Sequence, residues 1–223
     1  MKLVSWDVGI YNLSYCILEK NEAGDIQILD WDIVNLVDNA EMKKDVNLLF
    51  ENIPRKLQEK PQLLGVDYVV IENQPSLKNP KMKSIQMILY SYFLILGKIV
   101  GTENPGASFI QNIDFCSASN KLKIYDGPEI VLEEKKKRGK KNVEEVSSDD
   151  TVIIVDADTH VEKPKTKKGS AVKYADKKRL AIEQARYYVE TKFPAYKDFF
   201  ASHKKKDDLS DSLLQGLYYL KKK

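Results

Sequence analysis

The run Val66-Asp67-Tyr68-Val69-Val70-Ile71-Glu72 constrains the fold more than any other stretch. Its second half lacks polar alternation, and a strand with apolar side chains on both sides must be covered on both sides. That calls for a sheet flanked by helices. Asn73-Gln74-Pro75 follows at once, and Pro75 takes the chain out of strand geometry just beyond Glu72. A carboxylate at the end of an apolar strand is costly unless it is paired or binds a cation. The opening run, Lys2-Leu3-Val4-Ser5-Trp6-Asp7-Val8-Gly9, repeats the theme. Period two places Val4, Trp6 and Val8 on one face and leaves Asp7 on the other, near the strand end.

Two more apolar runs, Leu13 to Leu18 and Ile26 to Ile33, follow across short polar spacers and complete a three-stranded antiparallel meander. Val46, Leu49, Phe50, Ile53 and Leu57 recur at helical spacing, so residues about 40 to 59 read as a helix. A second helix, from about Pro80 to Ile99, carries the stripe Met82, Ile85, Ile88, Leu89, Tyr92, Leu96 and Ile99, and its apolar surface runs on through Met87, Phe93, Leu94 and Ile95. A helix apolar on more than one face must be covered from two sides, either by a large core or by a second copy of the chain. In the second case Leu89 and Leu96 are the residues to charge in order to obtain monomers. A further strand is expected at Ala107 to Asn112, then helices from about Tyr174 and from about Asp208 to Leu220. Strands interleaved with helices give an α/β domain with a mixed sheet. The chain reads as one domain over residues 1 to 223, with a charged insert at about 127 to 169 that holds one strand-like run, Thr151 to Val155.

The net charge is only +3, but the lysines cluster in the second half, at Lys135-Lys136-Lys137-Arg138, Lys163 to Lys168, Lys177-Lys178-Arg179 and Lys204-Lys205-Lys206. Such patches bind a polyanion even on a nearly neutral molecule. Lys177, Lys178 and Arg179 open a helix, where positive charge opposes the macrodipole, so an anionic partner explains them better than stability does. Two distant cysteines, Cys16 and Cys116, fit buried positions in a reducing compartment rather than a zinc site or a disulfide framework. Asp7 interrupts the first apolar run too early for a signal peptide, and Lys98 interrupts the longest apolar stretch. The expectation is a soluble intracellular protein without a membrane partner.

Asp7 and Glu72 acquire company on the last helix. At about 100° per residue, Asp208 and Asp211 lie within about 60° of each other off the leucine stripe, and Asp207 and Asp211 within about 40°, so geometry leaves Asp207 and Asp208 open. Convergent carboxylates are what a hard divalent cation requires.

Four segments in register carry a resemblance: Val4-Ser5-Trp6-Asp7-Val8-Gly9 with Asn12 and Tyr15; Val70-Ile71-Glu72-Asn73-Gln74; Ser117-Ala118-Ser119-Asn120-Lys121-Leu122; and Lys206-Asp207-Asp208-Leu209-Ser210-Asp211-Ser212. Together they resemble the RuvC-like Holliday junction resolvases of the ribonuclease H-like superfamily, nearest the poxvirus-type enzymes of large DNA viruses. The resemblance implies a mixed five-stranded sheet flanked by helices, and catalytic, metal-binding carboxylates at Asp7, Glu72, Asp208 and Asp211. It further implies two Mg²⁺ or Mn²⁺ ions per subunit and no small-molecule cofactor. The implied activity is paired symmetrical nicking of four-way DNA junctions by a homodimer, in an infected host cell. Lys121, Lys173, Lys177 and Lys178 are the basic residues nearest the matched segments and are expected to contact phosphates. His203, near the last helix, could assist protonation of the leaving group, but a lone histidine beside a lysine run reads more simply as an exposed residue. Competing readings are a ribonuclease H-like nuclease for flaps, forks or RNA-DNA hybrids and a non-catalytic DNA-binding module. An actin-like kinase would need a second Asp-Gly-Gly-type phosphate loop, which the chain lacks.

Overall fold

The computed structural model describes residues 1–77, 79–103, 109–132 and 174–223. Most of the charged insert, with Thr151 to Val155, and Lys173 lie outside the described residues. The opening meander forms as expected: β1 (Lys2–Val8), β2 (Asn12–Lys20) and β3 (Ile26–Asn35) pair antiparallel. β4 (Tyr68–Glu72) lies parallel to β1, and β5 (Asn112–Cys116) lies parallel to β4. The spatial order is β3-β2-β1-β4-β5, a mixed five-stranded sheet.

Helices cover both faces, which is what the unbroken Val69-Val70-Ile71 demanded. On one side, α1 (Ala40–Lys44), α2 (Val46–Gln58) and α3 (Pro80–Tyr92) lead, and Leu49, Ile53, Leu57, Ile85 and Leu89 bury Val4, Trp6, Val69 and Ile71. On the other side, after the short α4 (Val100–Glu103), come α5 (Tyr174–Thr191), α6 (Lys197–Ser202) and α7 (Lys206–Lys222). Ala185, Tyr188, Phe200, Leu209, Leu213 and Leu217 there cover Leu3, Cys16, Trp31 and Val70. Each fully buried side chain of this size contributes about 1.5–3 kcal/mol. Both cysteines are buried and unbridged.

Three expectations need correction. The helix over 40 to 59 is two helices, because Asp45 is extended and its carboxylate accepts the N–H groups of Asn47 and Leu48 to start α2 afresh. The strand expected at Ala107 to Asn112 begins where that range ends. Ile110 turns into the core with its N–H on Gly97 O at 2.9 Å, and the ladder with β4 opens only at Asn112 opposite Tyr68. Lys98, expected to break the longest apolar stretch, lies inside one continuous helical run. α3 passes through a π-helical stretch (Phe93–Ile99) into α4, and the whole run Pro80–Glu103 is long and apolar enough in composition to cross a membrane. Its inner face, Ile85, Leu89, Tyr92 and Phe93, is buried on the sheet. Leu89 is therefore a core residue and not part of any interface. The outward apolar residues are Met87, Ile95, Ile99 and Val100.

Candidate active site

Asp7 and Glu72 meet because their strands are neighbours. β1 and β4 pair through Trp6 and Ile71, and the two acids are the next residues on each strand. Trp6 and Ile71 belong to the core beneath α2 and α3, so alternation turns Asp7 and Glu72 to the opposite face, under α7.

A line of small and polar residues sets α7 against that face. Gln215 Nε2 donates to Ser5 Oγ and to Trp6 O, each at 3.1 Å. The hydroxyls of Ser14 and Ser212 stand 2.9 Å apart, and Trp31 Nε1 donates to Leu209 O at 3.2 Å. Gly216 permits the approach, since a Cβ there would lie 2.7 Å from Leu18 Cδ1 and 3.1 Å from Ser5 Cβ. From Gln215, one turn back along the helix is Asp211, about 6 Å away. From Ser5, two residues along β1 is Asp7, about 6.6 Å away. The steps match, so the register that seats Gln215 on Ser5 brings Asp211 to Asp7.

Lys121 closes the group. It sits in the 3₁₀ turn Ala118–Ile124, and its Nζ donates to Glu72 Oε1 at 3.3 Å and makes a short ion-paired hydrogen bond to Asp211 Oδ2. Gln74 Nε2 donates to the other Glu72 oxygen at 2.6 Å, and Gln86 Oε1 in turn accepts the Gln74 backbone N–H at 2.8 Å. Among the described residues the three carboxylates thus crowd the Lys121 ammonium, and the excess of negative charge adds to the effect of burial. Burial, then Glu72 and Asp211, push the Asp7 carboxyl well above the usual range. Burial lifts Asp211 to about 6 even though Lys121 opposes the shift. For Lys121 burial works against the ammonium, but Glu72, Asp211 and Asp7 outweigh it and hold its pKa above the ordinary lysine value.

The expected site residues fall into distinct places. Asp7, Glu72 and Asp211 converge. Asp208 stands beside them in a group of its own, 3.7 Å from Lys205 and raised by burial and by Asp207. Asp207 pairs with Lys178 at 2.9 Å, which keeps its carboxyl below the usual range despite burial. Lys177 is exposed. His203 packs on the Phe199 ring, its Nδ1 3.3 Å from Phe199 O. Lys121, expected to contact phosphate, is paired here with Glu72 and Asp211. The segment that contains it was conspicuous in the sequence, but a partner 90 residues away was not.

The donor set suits a hard divalent cation: carboxylate oxygens, partly buried, with more negative charge than one ammonium neutralises. As the side chains stand, no three carboxylate, histidine or cysteine groups among the described residues are arranged to hold one ion. Lys121 bridges Glu72 and Asp211 instead.

A mixed sheet in this order, with Asp7 and Glu72 ending adjacent parallel strands and Asp211 on a helix across them, is the RuvC-like form of the ribonuclease H fold. The structure is similar to the fowlpox virus resolvase solved with Holliday junction DNA, at a TM-score of 0.54 and 16% identity, over 100% of this chain and 98% of that one. It is likewise similar to the yeast mitochondrial Holliday junction resolvase, at 0.55 and 15%, covering 98% and 78%, and to Thermus thermophilus RuvC, at 0.51 and 11%, covering 100% and 96%. In sequence, an uncharacterised protein of Acanthamoeba polyphaga mimivirus is 34% identical over 165 residues, 74% of this chain. The chain spans 31% of that relative's length. No family model matches the chain.

Proposed function

We propose that this protein is a metal-dependent endonuclease that resolves four-way DNA junctions by paired symmetrical nicks. The observation that carries the reading is the convergence of Asp7 and Glu72 with Asp211 of α7, at the strand ends of a resolvase fold, with Lys121 shared between Glu72 and Asp211. Asp7, Glu72 and Asp211, with Asp208 beside them, would hold Mg²⁺ or Mn²⁺, two ions per subunit in this reading. Bound there, the ions supply an activated water and stabilise the leaving oxygen.

The chain's own groups do the rest. Gln74 and Lys121 fix the two oxygens of Glu72, so its orientation is set before substrate arrives. Lys121, paired with Glu72 and Asp211, stands among the carboxylates that would face a scissile phosphate. Lys177 and Lys178 lie on the first turns of α5, close to Asp207, and serve the flanking backbone, with Lys173 just before them. A junction offers two symmetrically placed strands, which a two-fold dimer matches. The surface for it is the open apolar groove of roughly 450 Å³ lined by Pro54, Met87, Ile88, Ser91, Ile95 and Leu96. As a viral enzyme it would act in the infected cell.

The test is cleavage of a four-way junction with and without Mg²⁺ or Mn²⁺, mapping the nicks and running flaps, forks and RNA-DNA hybrids alongside. Paired symmetrical nicks on the junction are expected. Asp7→Asn should abolish cutting and keep junction binding; cutting at the wild-type rate by that variant would remove the carboxylate site from the mechanism.

A further inference from the structure

Glu72 belongs to a chain of hydrogen bonds that leaves the carboxylates and ends on α3, in the opposite layer. Its Oε2 accepts from Gln74 Nε2 at 2.6 Å, and the Gln74 backbone N–H donates to Gln86 Oε1 at 2.8 Å. Gln74 therefore bridges the end of β4, with its side chain toward the acids and its backbone toward α3. The Gln86 oxygen takes a second donor, Lys83 Nζ at 3.2 Å, and the same ammonium donates to Asn73 Oδ1 at 3.2 Å. On the β5 side, the Asn73 N–H is held by Cys116 O at 2.8 Å.

The segment between Glu72 and α3 depends on these anchors. Pro75 has no N–H to give, and Leu77 beyond it is 98% exposed, so the turn takes its hold at Asn73 and Gln74. Gln86 is fully buried, and its Nε2 has no partner among the described residues. A buried amide is costly unless its polar atoms are used, and the use found for this one is its acceptor oxygen.

We propose that Gln86 is a positioning residue for a metal ion that it does not touch: it holds the Gln74 turn, Gln74 holds Oε2 of Glu72, and Oε1 is thereby the oxygen presented to the cation. This rests on the metal-dependent reading above and adds how the site keeps its shape before an ion arrives. Without the Gln86 acceptor the buried Gln74 N–H is left unpaired, and the turn must shift to satisfy it. Gln74 then leaves Oε2, and Glu72 regains the rotamer freedom that metal binding must remove again. Losing an outer partner of a metal ligand typically weakens metal binding about 10–100-fold.

Mn²⁺ binding to the full chain is measured by calorimetry, and four-way junction binding is measured in EDTA. Gln86→Met keeps the length of the side chain and removes the acceptor. It is expected to weaken Mn²⁺ binding about tenfold and to leave metal-free junction binding unchanged. Gln86→Glu keeps an acceptor oxygen beside Lys83 and gives up only the unpartnered Nε2, so it should restore most of the affinity. Gln74→Leu should lose as much as Gln86→Met or more, and the two together no more than Gln74→Leu alone, because both act through one contact. A role in packing alone would lower thermal stability in EDTA and add to the Gln74→Leu loss. Gln86→Asn, which withdraws the acceptor by one methylene, serves if the methionine variant does not fold. Wild-type Mn²⁺ affinity in the folded variant, or additive losses in the double variant, would overturn the proposal. A wild-type chain that binds no Mn²⁺ would instead remove the metal-dependent reading on which it rests.

Discussion

Asp7 is held where a carboxylate is least comfortable, beside Glu72 and Asp211 and partly out of water. Its raised pKa means that the folded protein holds this proton to a higher pH than the unfolded chain does. The penalty is therefore complete above the folded value and fades as pH falls toward the unfolded one. Asp7→Asn should accordingly stabilise the metal-free protein by roughly 1–3 kcal/mol at pH 8, with the gain shrinking as acid protonates the wild-type site. Urea unfolding at pH 8 and pH 5 checks this, and an Asp7→Asn midpoint below wild type at pH 8 would contradict it. Adding Mg²⁺ or Mn²⁺ should raise the wild-type melting temperature and leave the Asp7→Asn protein nearly unmoved, because ligands stabilise only the state that binds them.

Among the elements, α7 decides whether a site exists. Its acids are useful only in the register that seats Gln215 on Ser5, and Gly216 lets the helix come that close. Gly216→Val should push the helix off β1 and β2, cost about 1–3 kcal/mol in denaturant unfolding, and lower cleavage further than stability alone explains. Unchanged cleavage in that variant would show that the register tolerates displacement. The leucine stripe of this helix was legible in the sequence, as were the alternation that turns Asp7 and Glu72 away from Trp6 and Ile71. The break at Asp45 was not, because an aspartate inside an apolar periodicity reads as a solvent-facing position until its carboxylate is seen accepting two backbone amides.

At the scale of the whole molecule, the helical run Pro80–Glu103 has two jobs. Its inner face closes the core, and its outer face presents Met87, Ile95 and Ile99. Periodicity marked both faces as apolar but could not assign them, and it placed Leu89 on the wrong one. Ile95→Asp with Ile99→Asp should give a folded monomer by light scattering, whereas Leu89→Asp should fail to fold, since it buries a charge among Ile85, Phe93 and Val69. A dimer mass in the folded double variant would move the interface elsewhere.

What the sequence determined by itself is the local grammar: an apolar strand that needs cover on both faces, acids at two strand ends, and a helix with acids off its leucine stripe. These follow from periods of two and 3.6 and from the cost of burying charge. What only the tertiary structure decided is company. Lys121 is joined to Glu72 and Asp211, and Asp211 rather than Asp208 is the residue set against Asp7 and Glu72. The physical reason is that partners far apart in the chain are chosen by how closely α7 packs on β1 and β2, and no periodicity records that distance.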